Sequence, residues 1–186
     1  MVARSRYLED EVEQALERGV SQYVILGAGL DSFAYRRKDV AKLVRVFEVD
    51  HPATQAWKRS RLKQLGVELP PNLTLVPVDF ERQSLIESLR QNGYSTEVPG
   101  FFSWLGVIPY LTPDAIFTTL RTVAALPPGT QIIFEYGIPK KMLDEESQKY
   151  FDLLMAAGAD RSEPFRSFLT SAHIPNPMTE LSAGSA

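Results

Sequence analysis

The chain has 186 residues, with 20 Lys+Arg against 23 Asp+Glu for a formal net charge of −3, 44% hydrophobic residues, two His and no Cys. That length suits one domain with a sizeable core, and the lack of cysteine excludes a disulfide scaffold, a thiolate zinc site and a cysteine nucleophile while agreeing with a reducing compartment. A mildly acidic balance gives nucleic acid no electrostatic footing, and apolar runs such as Tyr23-Val24-Ile25-Leu26 are too short to span a bilayer.

Met1 to Asp10 carries positive charge but no apolar stretch after it, so it does not read as a signal peptide, and the chain is expected to be soluble and cytoplasmic. Val12, Ala15 and Leu16 recur at helical spacing, with Tyr7 and Leu8 one turn earlier, which predicts a helix over 5–18 that Gly19 ends. Gln22 to Leu26 is short, apolar and β-favouring and runs into Gly27-Ala-Gly29, the pattern of a strand buried on both faces followed by a tight turn. A second strand is predicted from Leu43 to Val49, ending at Asp50. A helix over 53–65 follows, with Trp57, Leu62 and Leu65 facing inward. Its basic run Lys58-Arg-Ser-Arg-Leu-Lys63 reads as a solvated face rather than a nucleic-acid patch.

Leu73 to Val78 is a third strand ending at Asp79, and Ser84 to Asn92 a helix closed by Gly93. Strands over 101–105 and 131–136 flank a helix over 113–126, for which Thr112 is the N-cap and Pro113 the first residue. A further helix is predicted over 142–157, and from about residue 160 the pattern weakens, with 171–186 reading as a poorly ordered tail. Strands alternating with helices predict an α/β fold, a doubly wound and mainly parallel sheet that binds ligands outside the carboxyl ends of its strands. Gly27, Asp50 and Asp79 all fall on that edge.

The turn Gly27-Ala-Gly29 lets backbone approach a ligand and presents N–H donors, although Ser32 stands where a dinucleotide fingerprint has its third glycine. Asp50 follows Gly29 by 21 positions, close to the offset at which an acidic residue grips ribose hydroxyls. Asp79-Phe80 offers an acceptor and an aromatic face suited to adenine, and Asp79 equally suits the N-cap of the helix after it. Trp104 and Tyr110 flank the end of the fourth strand, where both are candidates for a substrate pocket and core packing is the equal reading for Trp104. His51 and His173 without cysteine make no metal site.

Arg4-Ser-Arg-Tyr-Leu-Glu-Asp10, Val24 to Arg36, Phe47-Glu-Val-Asp-His-Pro52, Val78-Asp-Phe80 and Pro109-Tyr-Leu-Thr-Pro113, in that order, resemble the leucine carboxyl methyltransferase family. The resemblance runs over about residues 1–170 and implies a class I, Rossmann-like methyltransferase domain using S-adenosyl-L-methionine. Gly27 and Gly29 would wrap its methionine part, Asp50 its ribose, and Asp79 with Phe80 its adenine. Arg4 matches the position that pairs with the cofactor carboxylate, with Arg6 as its near neighbour and rival. The implied partner is a small-molecule or peptide methyl acceptor, with Tyr110 the candidate for positioning it.

Two departures stand out. Leu105-Gly106 replaces a Glu that family members often carry. The usual sheet also continues beyond the fifth strand, so this chain is expected to lack the last strands and to expose 131–136 as an edge, which either makes it aggregation-prone or is hidden in a homodimer. The alternatives are a nicotinamide-dependent oxidoreductase, which the absent third glycine disfavours, and a truncated non-catalytic remnant that binds cofactor or a partner.

Overall fold

The computed structural model describes residues 2–160 and 165–170. In chain order the elements are α1 (Val2–Glu17), β1 (Gln22–Leu26), α2 (Phe33–Arg36), α3 (Lys38–Ala41), β2 (Arg45–Asp50), α4 (Pro52–Gln64), β3 (Leu73–Pro77) and α5 (Leu85–Gln91). These are followed by β4 (Phe101–Trp104), a 3-10 turn (Ile108–Tyr110), α6 (Pro113–Ala124), β5 (Gln131–Phe134), a second 3-10 turn (Lys140–Met142) and α7 (Glu145–Asp160). The strands form one sheet in the order β3-β2-β1-β4-β5 with every pairing parallel, as the alternation of strands and helices predicts.

β1 is buried along its whole length, and its pleat divides the core in two. Tyr23 and Ile25 pack with Leu8, Val12 and Phe33 on one face, whereas Val24 and Leu26 pack with Phe47, Leu89 and Ile116 on the other. Caps fix where several helices start. Thr112 Oγ1 accepts the Ala115 N–H ahead of α6, which opens with Pro113, and Ser84 Oγ accepts the Glu87 N–H ahead of α5.

Three expectations need correction. Trp57 and Leu65 do not face inward: they are 54% and 62% exposed, and α4 instead buries Gln55 and Lys58. Lys58 is therefore no part of a solvated basic face. The second strand begins at Arg45 rather than Leu43, which is exposed. The predicted 171–186 tail, with His173, lies outside the described residues.

Candidate functional site

The turn after β1 is built by backbone bonds before any side chain joins it. Ala28 N–H donates to the Val49 carbonyl and Asp31 N–H to the Ala28 carbonyl. Gly27 and Gly29 adopt φ of 65° and 48°, the left-handed region that a side chain disfavours. At Gly27 a Cβ would also overlap Val107 Cγ2, whereas at Gly29 the nearest atom would be Asp50 Oδ2 at 4.0 Å. The first glycine thus lets the turn pack against Val107, just past β4, and the second is required by its backbone angle alone.

Asp50 closes the turn from the end of β2. Its Oδ2 accepts the Gly29 N–H and its Oδ1 accepts the His51 N–H at 2.6 Å. His51 caps α4, with Nδ1 accepting from Ala53 N. Each Asp50 oxygen keeps a further lone pair for a hydroxyl donor. Asp79 heads the loop after β3, where its Oδ1 accepts the Glu81 N–H at 3.0 Å. It does not cap the following helix, since Ser84 does. The Phe80 ring lies 6.0 Å from the Trp104 ring with their planes 34° apart. Trp104 is fully buried, so it backs Phe80 from the core instead of lining a pocket.

Two cavities meet at this edge. One of about 560 Å³ is lined by Gly27, Asp50, Asp79, Phe80, Val107 and Tyr110. The other, of about 250 Å³, is lined by Arg4, Glu9, Gly27, Asp31, Ser103 and Arg36. Gly27 lines both, so the two cavities flank the glycine turn, with Arg4 in the smaller and Asp79-Phe80 in the larger. Arg6 lines neither; it is 74% exposed and paired with Asp10.

Sequence reasoning missed two glutamates, one that lines the larger cavity and one that holds Arg4. Glu135, just past β5, takes both its hydrogen bonds from Arg4 Nη1, at 2.5 and 2.6 Å. A Cβ on Gly106 would be 3.7 Å from Glu135 Oε1. A carboxylate therefore does stand beside Leu105-Gly106, supplied by the neighbouring strand. Glu81 accepts the Thr112 N–H at 3.0 Å and the Thr112 hydroxyl at 2.8 Å. The wall carrying Tyr110 is held from behind as well, where Arg166 N–H donates to the Pro109 carbonyl and the Ser167 hydroxyl to the Leu111 carbonyl, both at 2.6 Å. Neither glutamate had a local signal, because each partner is distant in sequence.

A family model described as leucine carboxyl methyltransferase matches residues 1–124. The chain belongs to that family. This leucine carboxyl methyltransferase family member is 34% identical over 174 residues to a Bacillus subtilis (strain 168) protein named as the S-adenosyl-L-methionine-dependent methyltransferase YktD, covering 93% of this chain and 57% of the relative. It is 35% identical over 147 residues to a Mycobacterium sp. (strain JLS) protein also named as an S-adenosyl-L-methionine-dependent methyltransferase, covering 78% and 47%. A DUF574 family protein from Streptomyces avermitilis shares the fold, with a TM-score of 0.64 at 20% identity over 87% of this chain and 61% of that one. The chain spans about half the length of these sequence relatives. Among the described residues no helix is long and apolar enough to cross a membrane, and no cluster of side chains suits a metal ion.

Proposed function

We propose that residues 1–170 are the cofactor-binding part of an S-adenosyl-L-methionine-dependent methyltransferase that methylates an oxygen, carboxylate or hydroxyl, of a small molecule or peptide. The observation that carries this reading is the pair of cavities that flank Gly27, in a chain of this family, one lined by the Arg4 guanidinium and the other by the Asp79-Phe80 pair. The donor set fits the cofactor part by part. Arg4 offers a planar fork to a carboxylate. Gly27 keeps a side chain out of the space against Val107 and Gly29 supplies the backbone angle of the turn; Asp50 accepts from ribose hydroxyls, and Asp79 with Phe80 offers an acceptor and a flat apolar wall to adenine.

When bound, S-adenosylmethionine supplies a sulfonium methyl that is already electrophilic, so the task left to the chain is alignment of the acceptor oxygen. Tyr110 sits on the rim of the larger cavity, 37% exposed, with its ring 5.2 Å from that of Phe165. We assign it the positioning of the acceptor. An acceptor carboxylate would require no general base at neutral pH.

Titration calorimetry with S-adenosylhomocysteine is expected to show saturable binding. Saturable binding of NAD with none of S-adenosylhomocysteine would replace this reading with the oxidoreductase one.

A further inference from the structure

Beneath the glycine turn lies a buried ion pair that no step of methyl transfer calls for. Glu48 on β2 is 0% exposed and Lys58 on α4 is 4% exposed, and their carboxylate and ammonium are in direct contact. Lys58 Nζ also donates to the Asp31 carbonyl at 2.9 Å. The Asp31 side chain in turn accepts the Phe33 N–H at 2.7 Å, fixing the start of α2. Glu48 and Asp50 are two residues apart on one strand, so they project from the same face of it. From that face the strand reaches the loop twice: Asp50 takes the Gly29 N–H, and Glu48 presents the ammonium that holds the Asp31 carbonyl.

As a source of stability alone, the pair is poorly built. Burial pushes the Glu48 carboxyl up, to about 7, against the pull of the Lys58 ammonium. Glu48 Oε1 and Gln55 Oε1 are buried with no hydrogen-bond partner among the described residues. Desolvating two charges commonly offsets their attraction, and apolar replacements of both partners often match or exceed the stability of such a pair. What an apolar pair could not do is donate to Asp31.

We propose that Lys58, held by Glu48, is a positioning residue that anchors the loop of residues 27–33 in the geometry the cofactor requires. This rests on reading the two cavities as the S-adenosylmethionine site. Neither side chain is assigned a contact with the cofactor; the effect passes through the Asp31 backbone.

The test compares Lys58→Met with the double variant Glu48→Met/Lys58→Met, using calorimetry with S-adenosylhomocysteine, thermal melts and hydrogen exchange of loop amides. Lys58→Met strands a buried carboxylate and is expected to lose stability, whereas the double variant is expected to regain it. Positioning predicts that the double variant, despite its parent-like melt, binds S-adenosylhomocysteine at least about tenfold more weakly and exchanges the amides of 28–33 faster. Parent-like affinity and parent-like loop exchange in the double variant would overturn the proposal and leave the pair a merely structural role. If the double variant does not fold, Glu48→Gln/Lys58→Met decides: it removes the donor to Asp31 without stranding a charge, and should still bind more weakly and exchange the loop amides faster, whereas parent-like values of both would overturn the proposal. Failure of the parent itself to bind S-adenosylhomocysteine would overturn the cofactor reading instead, and the exchange rates of the loop would still decide the anchoring.

Discussion

At the scale of single residues, Asp50 shapes the turn, since its oxygens accept the Gly29 and His51 amides. Asp50→Ala is expected to weaken S-adenosylhomocysteine by roughly 1.5–3 kcal/mol, more than about tenfold, and unchanged affinity by calorimetry would refute the assignment. The two glycines should fail differently. Gly29→Ala has room for its methyl and is expected to lose about 1–2 kcal/mol through its backbone angle. Gly27→Ala also meets Val107, so it should melt lower, and Val107→Ala should restore part of the loss in the double variant, a coupling that independent sites would not show. The glycines and Asp50 were legible in sequence because their offset is local to one strand-turn-strand unit. Glu135 was not, since it meets Arg4 from 131 positions away. Lys58 was misread for a related reason: helical periodicity registers apolar faces, and a lysine buried by a glutamate on a neighbouring strand looks the same as a solvated one.

At the scale of elements, α1 forms one wall of the smaller cavity and is tied to the segment after the glycine turn by charge. Arg36 and Arg37 both pair with Glu9, at 2.5 and 3.0 Å, and Arg37 also meets Glu13 at 2.5 Å and Asp39 at 3.2 Å. The hydrogen bond from Arg36 holds the Glu9 carboxyl below its ordinary 4.5. A carboxyl lowered in the folded state contributes stability that is present above its ordinary value and lost as pH falls through the lowered one. Acidification from about pH 6 to about pH 3 should therefore release α1 first, seen as faster exchange of its amides before those of β1 and β4. Glu9→Gln should show that faster exchange already near neutral pH; if it exchanges like the parent, the carboxylate is not what holds the helix. The elements themselves were largely legible, because period-2 and period-3.6 patterns coincide here with cap residues and glycines. All five strands fall within two residues of their predicted ends. The face of α4 was not legible, since that helix buries polar groups and exposes Trp57 and Leu65.

For the whole molecule, the question is what lies beyond β5. This strand pairs only with β4 among the described residues, and Ile132, Ile133 and Phe134 are half-buried where the strands inside the sheet are buried. Gln131 N–H donates to the Gly100 carbonyl and Glu135 N–H to the Trp104 carbonyl, so the odd-numbered residues face β4. By the alternation of a strand, Ile132 and Phe134 turn their N–H and C=O groups to the open edge. An apolar edge whose outward backbone groups meet no strand among the described residues is a template for another strand. The chain studied alone is accordingly expected to self-associate with rising concentration in sedimentation. Ile132→Pro removes one outward N–H without removing a bond to β4, and proline is tolerated on the open side of an edge strand. That variant, provided its circular dichroism stays native, should sediment as a monomer at concentrations where the parent does not. Equal association of variant and parent, or slow amide exchange at Ile132 and Phe134 in a monomeric parent, would mean that the edge is covered by another part of the chain.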